Sequence, residues 1–307
     1  PFNVQPLGLP IEGKAPKADP VNKVAKEIAK SFMDSVKQIA ENIPVEQTKE
    51  QEARELKGAF LTKARNARGE EYEAQFNKIL DTIWENQKTE AVKNLNQRLK
   101  TKEWRTKAVD LIDKPKEIKA TIDLFAPLMT ALVIDEGEAA AAFLGTGEFT
   151  ITRNLTKFIE ENTKKFAGEI TDETSKKLRS SIAAGLEAGE AIPDLEKRIL
   201  DSVAFNKSRA QNIARTETIR AQSKSSEEVW KESGVVEAKE WFTGADDRTC
   251  EFCIPMDGKI IGVGESFYGK GDVHEGSNGS TISLDYEAVD GLPLHPQCRC
   301  TLIPVVK

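Results

Sequence analysis

Apolar residues recur along the first part of the chain at steps of three and four, the spacing that places side chains on one face of a helix. Ile28, Phe32, Val36 and Ile39 form a first stripe, Phe60, Leu61 and Ala64 start a second, and Phe76, Ile79, Leu80 and Ile83, followed by Trp84, form a third. Charged residues fill the positions between, so residues 24 to 99 read as helical. Pro44 breaks the first stripe's helix, because proline removes a backbone donor and clashes with the preceding turn. These stripes predict packing between helices and, in an assembly protein, contact with a partner chain. Ahead of them, residues 1–23 carry Pro6, Pro10, Pro16 and Pro20 with Gly8 and Gly13, the composition of an extended arm.

A richer apolar pattern follows in residues 116–146, with Ile118, Ile122, Phe125, Leu128 and Leu132. Pro127 is expected to kink or divide it, and Gly145 and Gly147 to end it. Phe149 to Ile151 alternates briefly, as a short strand would. Thr171-Asp172 is placed to cap a new helix carrying Leu178, Ile182 and Leu186, ended by Gly185 and Gly189. Ile192-Pro193-Asp194 opens another helix with Leu195, Ile199 and Val203, since proline suits a first turn. A further helix runs from Lys207 to Lys231.

Beyond Gly234 the period changes from helical to alternating. Ala238 to Thr243, Lys259 to Ile261 and Thr301 to Val306 are strand candidates, and the Gly-, Ser- and Asp-rich residues 262–285 between them read as a long loop. The expected fold class is α+β: mostly helical, with a small C-terminal β-rich module clipped by zinc. The expected division is an arm (1–23), a helical docking region (24–110), a second helical domain (111–235) and a Cys/His module (236–307).

Composition narrows the function classes. Charged residues make up 31% and aromatics only 7%, which suits an elongated helical protein better than a β-sandwich. A net charge of −6 gives no support to a dedicated nucleic-acid binder, and DNA contact would rest on a local basic patch. The longest apolar run, Leu124 to Ile134, is too short to span a bilayer, so no membrane role is expected. The chain begins at Pro1 rather than Met, as expected of a processed chain or a part of something longer.

The strongest chemical signal is the cysteines. Cys250 and Cys253 form a Cys-x-x-Cys pair, Cys298 and Cys300 a Cys-x-Cys pair, and His295 lies three residues before Cys298. Thiolate and imidazole are the ligands zinc prefers, and a Cys-x-x-Cys turn brings two sulfurs to one metal. On a strand Cys298 and Cys300 would face one side. A four-thiolate site and a site of three thiolates with one imidazole both remain open. A redox pair would need a thioredoxin-like βαβ context, and disulfides an oxidising compartment; neither is indicated. Four protein ligands leave no open coordination position, so one structural zinc per chain is expected. The zinc-deaminase and metalloprotease signatures are absent, and the chain has two histidines. With no catalytic constellation in view, the chain is expected not to be an enzyme. His274, in the Gly/Ser-rich stretch, reads as a solvated loop residue.

The same residues carry a family resemblance. Asp246-Asp247-Arg248-Thr249-Cys250-Glu251-Phe252-Cys253 matches a D-x-R-T-C-x-x-C signature continued by Met256-Asp257-Gly258; Leu292 to Cys300 ends in H-P-x-C-R-C; and Ala214-Arg215-Thr216-Glu217-Thr218 matches an A-R-T-E-T helix. In this order the motifs resemble the Mu F-like head morphogenesis, or minor head protein, family of tailed bacteriophages, over residues 110–307. The resemblance implies a virion protein present in few copies near the portal vertex, with portal or capsid chains as partners. It would act in head assembly and in genome packaging or delivery. In some phages such a domain is fused behind the portal protein, which the Pro-rich start and helices of this chain would suit. Family members with other residues at the first cysteine pair favour a structural role for the metal.

Within the A-R-T-E-T helix, Glu217 and Arg220 are three apart and can pair; alternatively Arg215 or Glu217 anchors the backbone of the cysteine module. Two other classes compete with the structural reading. One is a nucleic-acid-binding zinc module using Arg248, Arg299, Trp241 and Phe252 against the opposing charges of Asp246, Asp247 and Glu251. The other is a phage-borne enzyme of unidentified type.

Overall fold

The computed structural model describes residues 46–99, 110–244 and 249–307. The expected arm, the stripe from Ile28 to Ile39, Pro44 and the Asp246-Asp247-Arg248 part of the first signature lie outside the described residues.

Among the described residues, five α-helices precede the strands. Helix α1 (Glu46–Leu99) spans 54 residues, about 80 Å at 1.5 Å per residue. Its Phe76, Leu80, Ile83 and Trp84 are buried, as their spacing predicts. Helix α2 (Lys114–Leu144) starts where the Asp113 carboxylate accepts the Lys116 N–H and ends at Gly145, whose φ of 69° is the left-handed turn that glycine adopts without a Cβ clash. Pro127 does not divide α2, contrary to expectation. A proline inside a helix costs about 3 kcal/mol. Here Phe125, Ala126, Leu128 and Met129 are all buried beside it. Burying a large apolar side chain is worth about 1.5–3 kcal/mol, enough to offset that cost several times over.

Helix α3 (Arg153–Glu187) is capped by Thr152, whose hydroxyl accepts the Leu155 N–H at 3.1 Å. It runs through Thr171-Asp172 without a break, a second correction. Thr171 is fully buried in mid-helix, and Thr174 spends its hydroxyl on the Ile170 carbonyl of the same helix. Gly185 is likewise inside α3, and the turn comes at Gly189. Helix α4 (Ile192–Leu200) buries Leu195 and Ile199, whereas Val203 falls in the 3-10 turn Val203–Phe205 and is exposed. Helix α5 (Lys207–Ser233) starts on an Asn206 cap and stops at Gly234. Phe149 to Ile151 forms no strand; Phe149 instead lays its ring against the backbone at Gly137, where a Cβ would lie 2.4 Å from it.

The C-terminal part is β-rich. Strand β1 (Val236–Phe242) is the centre of an antiparallel sheet ordered β2-β1-β5, with β2 (Ile260–Gly262) and β5 (Thr301–Val306) on its flanks. Trp241 pairs with Leu302 and Glu240 with Ile303. Residues 262–285 are not one long loop. They contain a hairpin, β3 (Val273–Glu275) and β4 (Thr281–Ser283), in which His274 pairs with Ile282. The fold is thus mostly helical with a small β region at its C-terminal end.

The core of this β region is completed by residues of the helices. Ile219 and Trp230 of α5 pack into one cluster with Trp241, Met256, Leu294 and Leu302. Phe242 fits against Gly58 of α1, where an added Cβ would come within 2.5 Å of its ring. The helices therefore form one wall of the module that carries the cysteines.

Candidate metal centre

Two turns build the centre. In the first, the Cys250 carbonyl accepts the N–H groups of Cys253 at 3.0 Å and Ile254 at 3.1 Å, folding Cys250–Cys253 into a tight knuckle that leads into the turn Ile254–Met256. In the second, the Cys298 N–H donates to the His295 carbonyl at 3.2 Å. Gln297 lies within this second turn with φ of 65°, a conformation that L residues reach only at some cost. Its side-chain amide donates to Asn212 of α5, so the helix holds the turn in this form.

These turns bring the five expected residues together. His295 Nε2 lies 3.0 Å from Cys250 Sγ and 3.2 Å from Cys253 Sγ, and Cys253 Sγ lies 3.9 Å from Cys298 Sγ. Potential ligand atoms of Cys250, Cys253 and His295 form one group, those of Cys253, Cys298 and Cys300 a second, and Cys253 belongs to both. The four thiols are free rather than paired in disulfides.

The protonation chemistry suits a cation. His295 Nδ1 donates to the Pro296 carbonyl at 2.7 Å, because a carbonyl can only accept. In the neutral ring Nε2 then carries the lone pair, and it is aimed at two sulfurs. Contact with Cys253 holds the Cys298 thiol well below its ordinary pKa, and contact with Cys298 raises that of Cys253. Contact with Cys253 lowers Cys300, but Cys298 and burial outweigh it, and the thiol is pushed up. Three buried sulfurs this close cannot all ionise unaided, whereas a divalent cation would let them. The cluster is able to coordinate a metal ion.

Around the ligands the sequence readings divide. His274 is buried, not solvated. Its Nε2 donates to the Phe252 carbonyl at 2.6 Å, and its Nδ1 accepts from the Tyr268 hydroxyl at 2.7 Å. Of the two readings of the A-R-T-E-T helix, the pair is present, with Arg220 Nε 3.5 Å from Glu217. Glu217 also accepts from Asn162 at 2.8 Å, and Arg220 reaches Glu287 of the module. The contacts to the module's backbone come from elsewhere. The guanidinium of Arg65 on α1 donates to the carbonyls of Cys300 and Arg299. Ser223 of α5 accepts the Leu292 N–H at 2.9 Å. Arg65 carries no local signal: it belongs to no motif, and only the tertiary fold brings it to the cysteines. Trp241, a candidate for stacking on bases, is fully buried and unavailable to them.

Among known proteins, residues 176–303 match the family described as Phage Mu protein F like protein. The matched segment takes in the end of α3, all of α5 and the whole Cys/His cluster. The chain is also 29% identical over 138 residues to an NAD(+)–arginine ADP-ribosyltransferase, EFV, of Enterococcus faecalis (strain ATCC 700802 / V583). The match covers 44% of this chain and 26% of that protein, so the chain spans about a quarter of that relative's length. No solved structure matches the chain.

The second similarity corrects the expectation that the chain is not an enzyme. A relative named as a transferase shares this stretch of sequence. The sequence shows no familiar catalytic constellation, and a metal site with all four positions filled activates no water. Such a site argues only against chemistry at the metal, and leaves transfer chemistry elsewhere in the chain untouched.

Proposed function

On the strength of the Phage Mu protein F like segment at residues 176–303, we propose that this chain is a minor head component of a tailed phage. The family match supports a structural, morphogenetic role in the head. The finer reading places the chain near the portal vertex, with portal or capsid chains as partners and a part in genome packaging or delivery. Residues 1–23 would act as an arm and 24–110 as the docking region, with 111–235 as the Mu F-like helices and 236–307 as the Cys/His module. The exposed side of α1 carries Glu52, Glu55, Lys63, Glu70, Lys78 and Asp81, a charged surface that suits assembly contacts. Cross-linking mass spectrometry on head assembly intermediates tests the placement: links from residues 46–99 to portal or capsid chains support it, and links only to unrelated proteins refute it.

In this reading the Cys/His cluster holds one zinc. Cys250, Cys253 and Cys298, with His295 or Cys300, would supply four protein ligands. Zinc bound there would be a cross-link between the two turns, and structural zinc contributes about 10–16 kcal/mol of apparent binding energy in small peptides. Elemental analysis of protein purified without added zinc tests this.

The transferase relative favours a second reading, transfer of ADP-ribose from NAD+ to arginine. A cleft of about 550 Å³ lies between α3, α5 and residues 286–293, lined by Lys157, Arg220, Lys231, Glu228 and Tyr286 among others. Cations, a carboxylate and an aromatic ring are groups a dinucleotide site draws on. Incubation of the full chain with labelled NAD+ and an arginine-bearing acceptor tests it: label on the acceptor supports transfer, and none after prolonged incubation removes it.

A further inference from the structure

Residues 262–285 have the composition of a loop, yet their hairpin β3–β4 closes over the Cys250–Cys253 knuckle. The two residues between the cysteines, Glu251 and Phe252, both have their carbonyls taken by this hairpin. The Ser277 N–H donates to the Glu251 carbonyl at 2.9 Å, and His274 Nε2 donates to the Phe252 carbonyl at 2.6 Å. The fit is close: a Cβ at Gly276 would lie 3.2 Å from the Phe252 ring.

The His274 bond is itself set by a chain of partners. Since Nε2 must donate to a carbonyl, Nδ1 of the neutral ring must accept, and the Tyr268 hydroxyl donates to it. The Tyr268 oxygen in turn accepts from Lys259 Nζ at 2.6 Å. His274 is 3% exposed, so its imidazole is shielded from solvent, whereas the Lys259–Tyr268 bond lies at the surface. Groups one step out from a metal's ligands fix ligand orientation and tune affinity.

We propose that the β3–β4 hairpin is a clasp for the metal knuckle and that His274 is its positioning residue, fixing the peptide between Cys250 and Cys253 so that both sulfurs converge. This rests on the reading of the Cys/His cluster as a zinc site. His274 binds no metal; it acts through the Phe252 carbonyl.

The test uses the full chain, with zinc affinity measured by chelator competition and the site's geometry followed in the cobalt(II)-substituted protein by its absorption bands. His274→Ala weakens zinc by about 10–100-fold, the usual effect of removing such a partner, and shifts the cobalt bands. His274→Gln, whose amide can still donate to the Phe252 carbonyl, recovers most of that affinity. Tyr268→Phe weakens binding to a lesser degree. Val273→Ala, on the same strand but 63% exposed, leaves affinity unchanged. Failure of the wild-type chain to bind zinc or cobalt would remove the zinc reading itself. Wild-type binding with equal affinity in folded His274→Ala would overturn the clasp alone. If His274→Ala does not fold, Tyr268→Phe carries the test: weakened binding supports the clasp, and wild-type affinity overturns it.

Discussion

Arg65, on the long helix α1, donates a hydrogen bond to the carbonyl of Cys300, 235 residues further along the chain. The same guanidinium reaches the Arg299 carbonyl at 3.1 Å. Burial holds its pKa below that of a free guanidinium, against the opposing pull of Cys298 and Glu136. A charge this deep ties the helices to the segment just ahead of β5, which carries two of the candidate ligands.

Replacing Arg65 by Met keeps most of the volume but leaves two carbonyls without their donor. Removing a charged partner from a buried acceptor costs about 1.5–3 kcal/mol, so Arg65→Met should lower unfolding stability by at least that much. Arg65→Lys should fall between, because an ammonium cannot present the forked donors of a guanidinium. Urea unfolding measures both, and an unchanged midpoint for Arg65→Met would show that the tie carries no energy.

A second tie is ionic. Lys239 of β1, fully buried, donates to Glu227 of α5 at 2.6 Å and to the Asp290 carbonyl at 2.5 Å. Breaking a buried pair from one side leaves an uncompensated charge and costs about 3–5 kcal/mol. Lys239→Met alone should therefore be strongly destabilising, and Lys239→Met with Glu227→Leu markedly less so. A double-mutant cycle reads the coupling; simple additivity would mean the two groups are independent.

Glu287 links the module to α3 and α5 through Lys165 at 3.0 Å and through Arg220. Burial would raise its pKa, but Arg220 and Lys165 outweigh that and hold the carboxyl below its ordinary value. A carboxyl depressed in the folded state contributes fully above its unfolded pKa and loses that contribution as pH falls through the folded one. Stability should thus decline as pH drops below about 4, the range of a free glutamate. Glu287→Gln should make that decline shallower while lowering stability at neutral pH. Parallel declines in both proteins would show that Glu287 is not one of the groups responsible.

The module should not fold when cut out. A fragment of residues 236–307 leaves behind Ile219 and Trp230, which complete its core, and Arg65, Ser223 and Glu227, which satisfy its buried polar groups. Even with zinc, its circular dichroism and amide dispersion should be those of a loosely ordered chain. A well-dispersed spectrum would show that residues 236–307 fold as a separate unit.

Much of this architecture is legible in the sequence where the signal is local. The knuckle, the Cys-x-Cys pair ahead of β5 and His295 are recognisable as candidate ligands because metal ligands must be certain residue types at short spacing. The start of α4 and the end of α5 are legible because Pro193 and Gly234 each do a job that only a few residues can do. Pro127 and Thr171 mislead because tertiary burial overrides a local breaker and a local cap. His274 misleads because glycine- and serine-rich sequence says nothing of what folds over it. Arg65 and Lys239 are silent: a lone basic residue in a charged background looks like surface until the fold places it inside.

The reading of the chain as a head protein is tested most directly by the protein composition of purified phage particles, measured by quantitative mass spectrometry for wild type and for Cys253→Ser. The wild-type chain should be present in few copies per particle, and the variant, with the cluster's shared thiol removed, should be depleted or missing. A chain abundant in infected cells but absent from wild-type particles would contradict the account and bring the transferase reading forward.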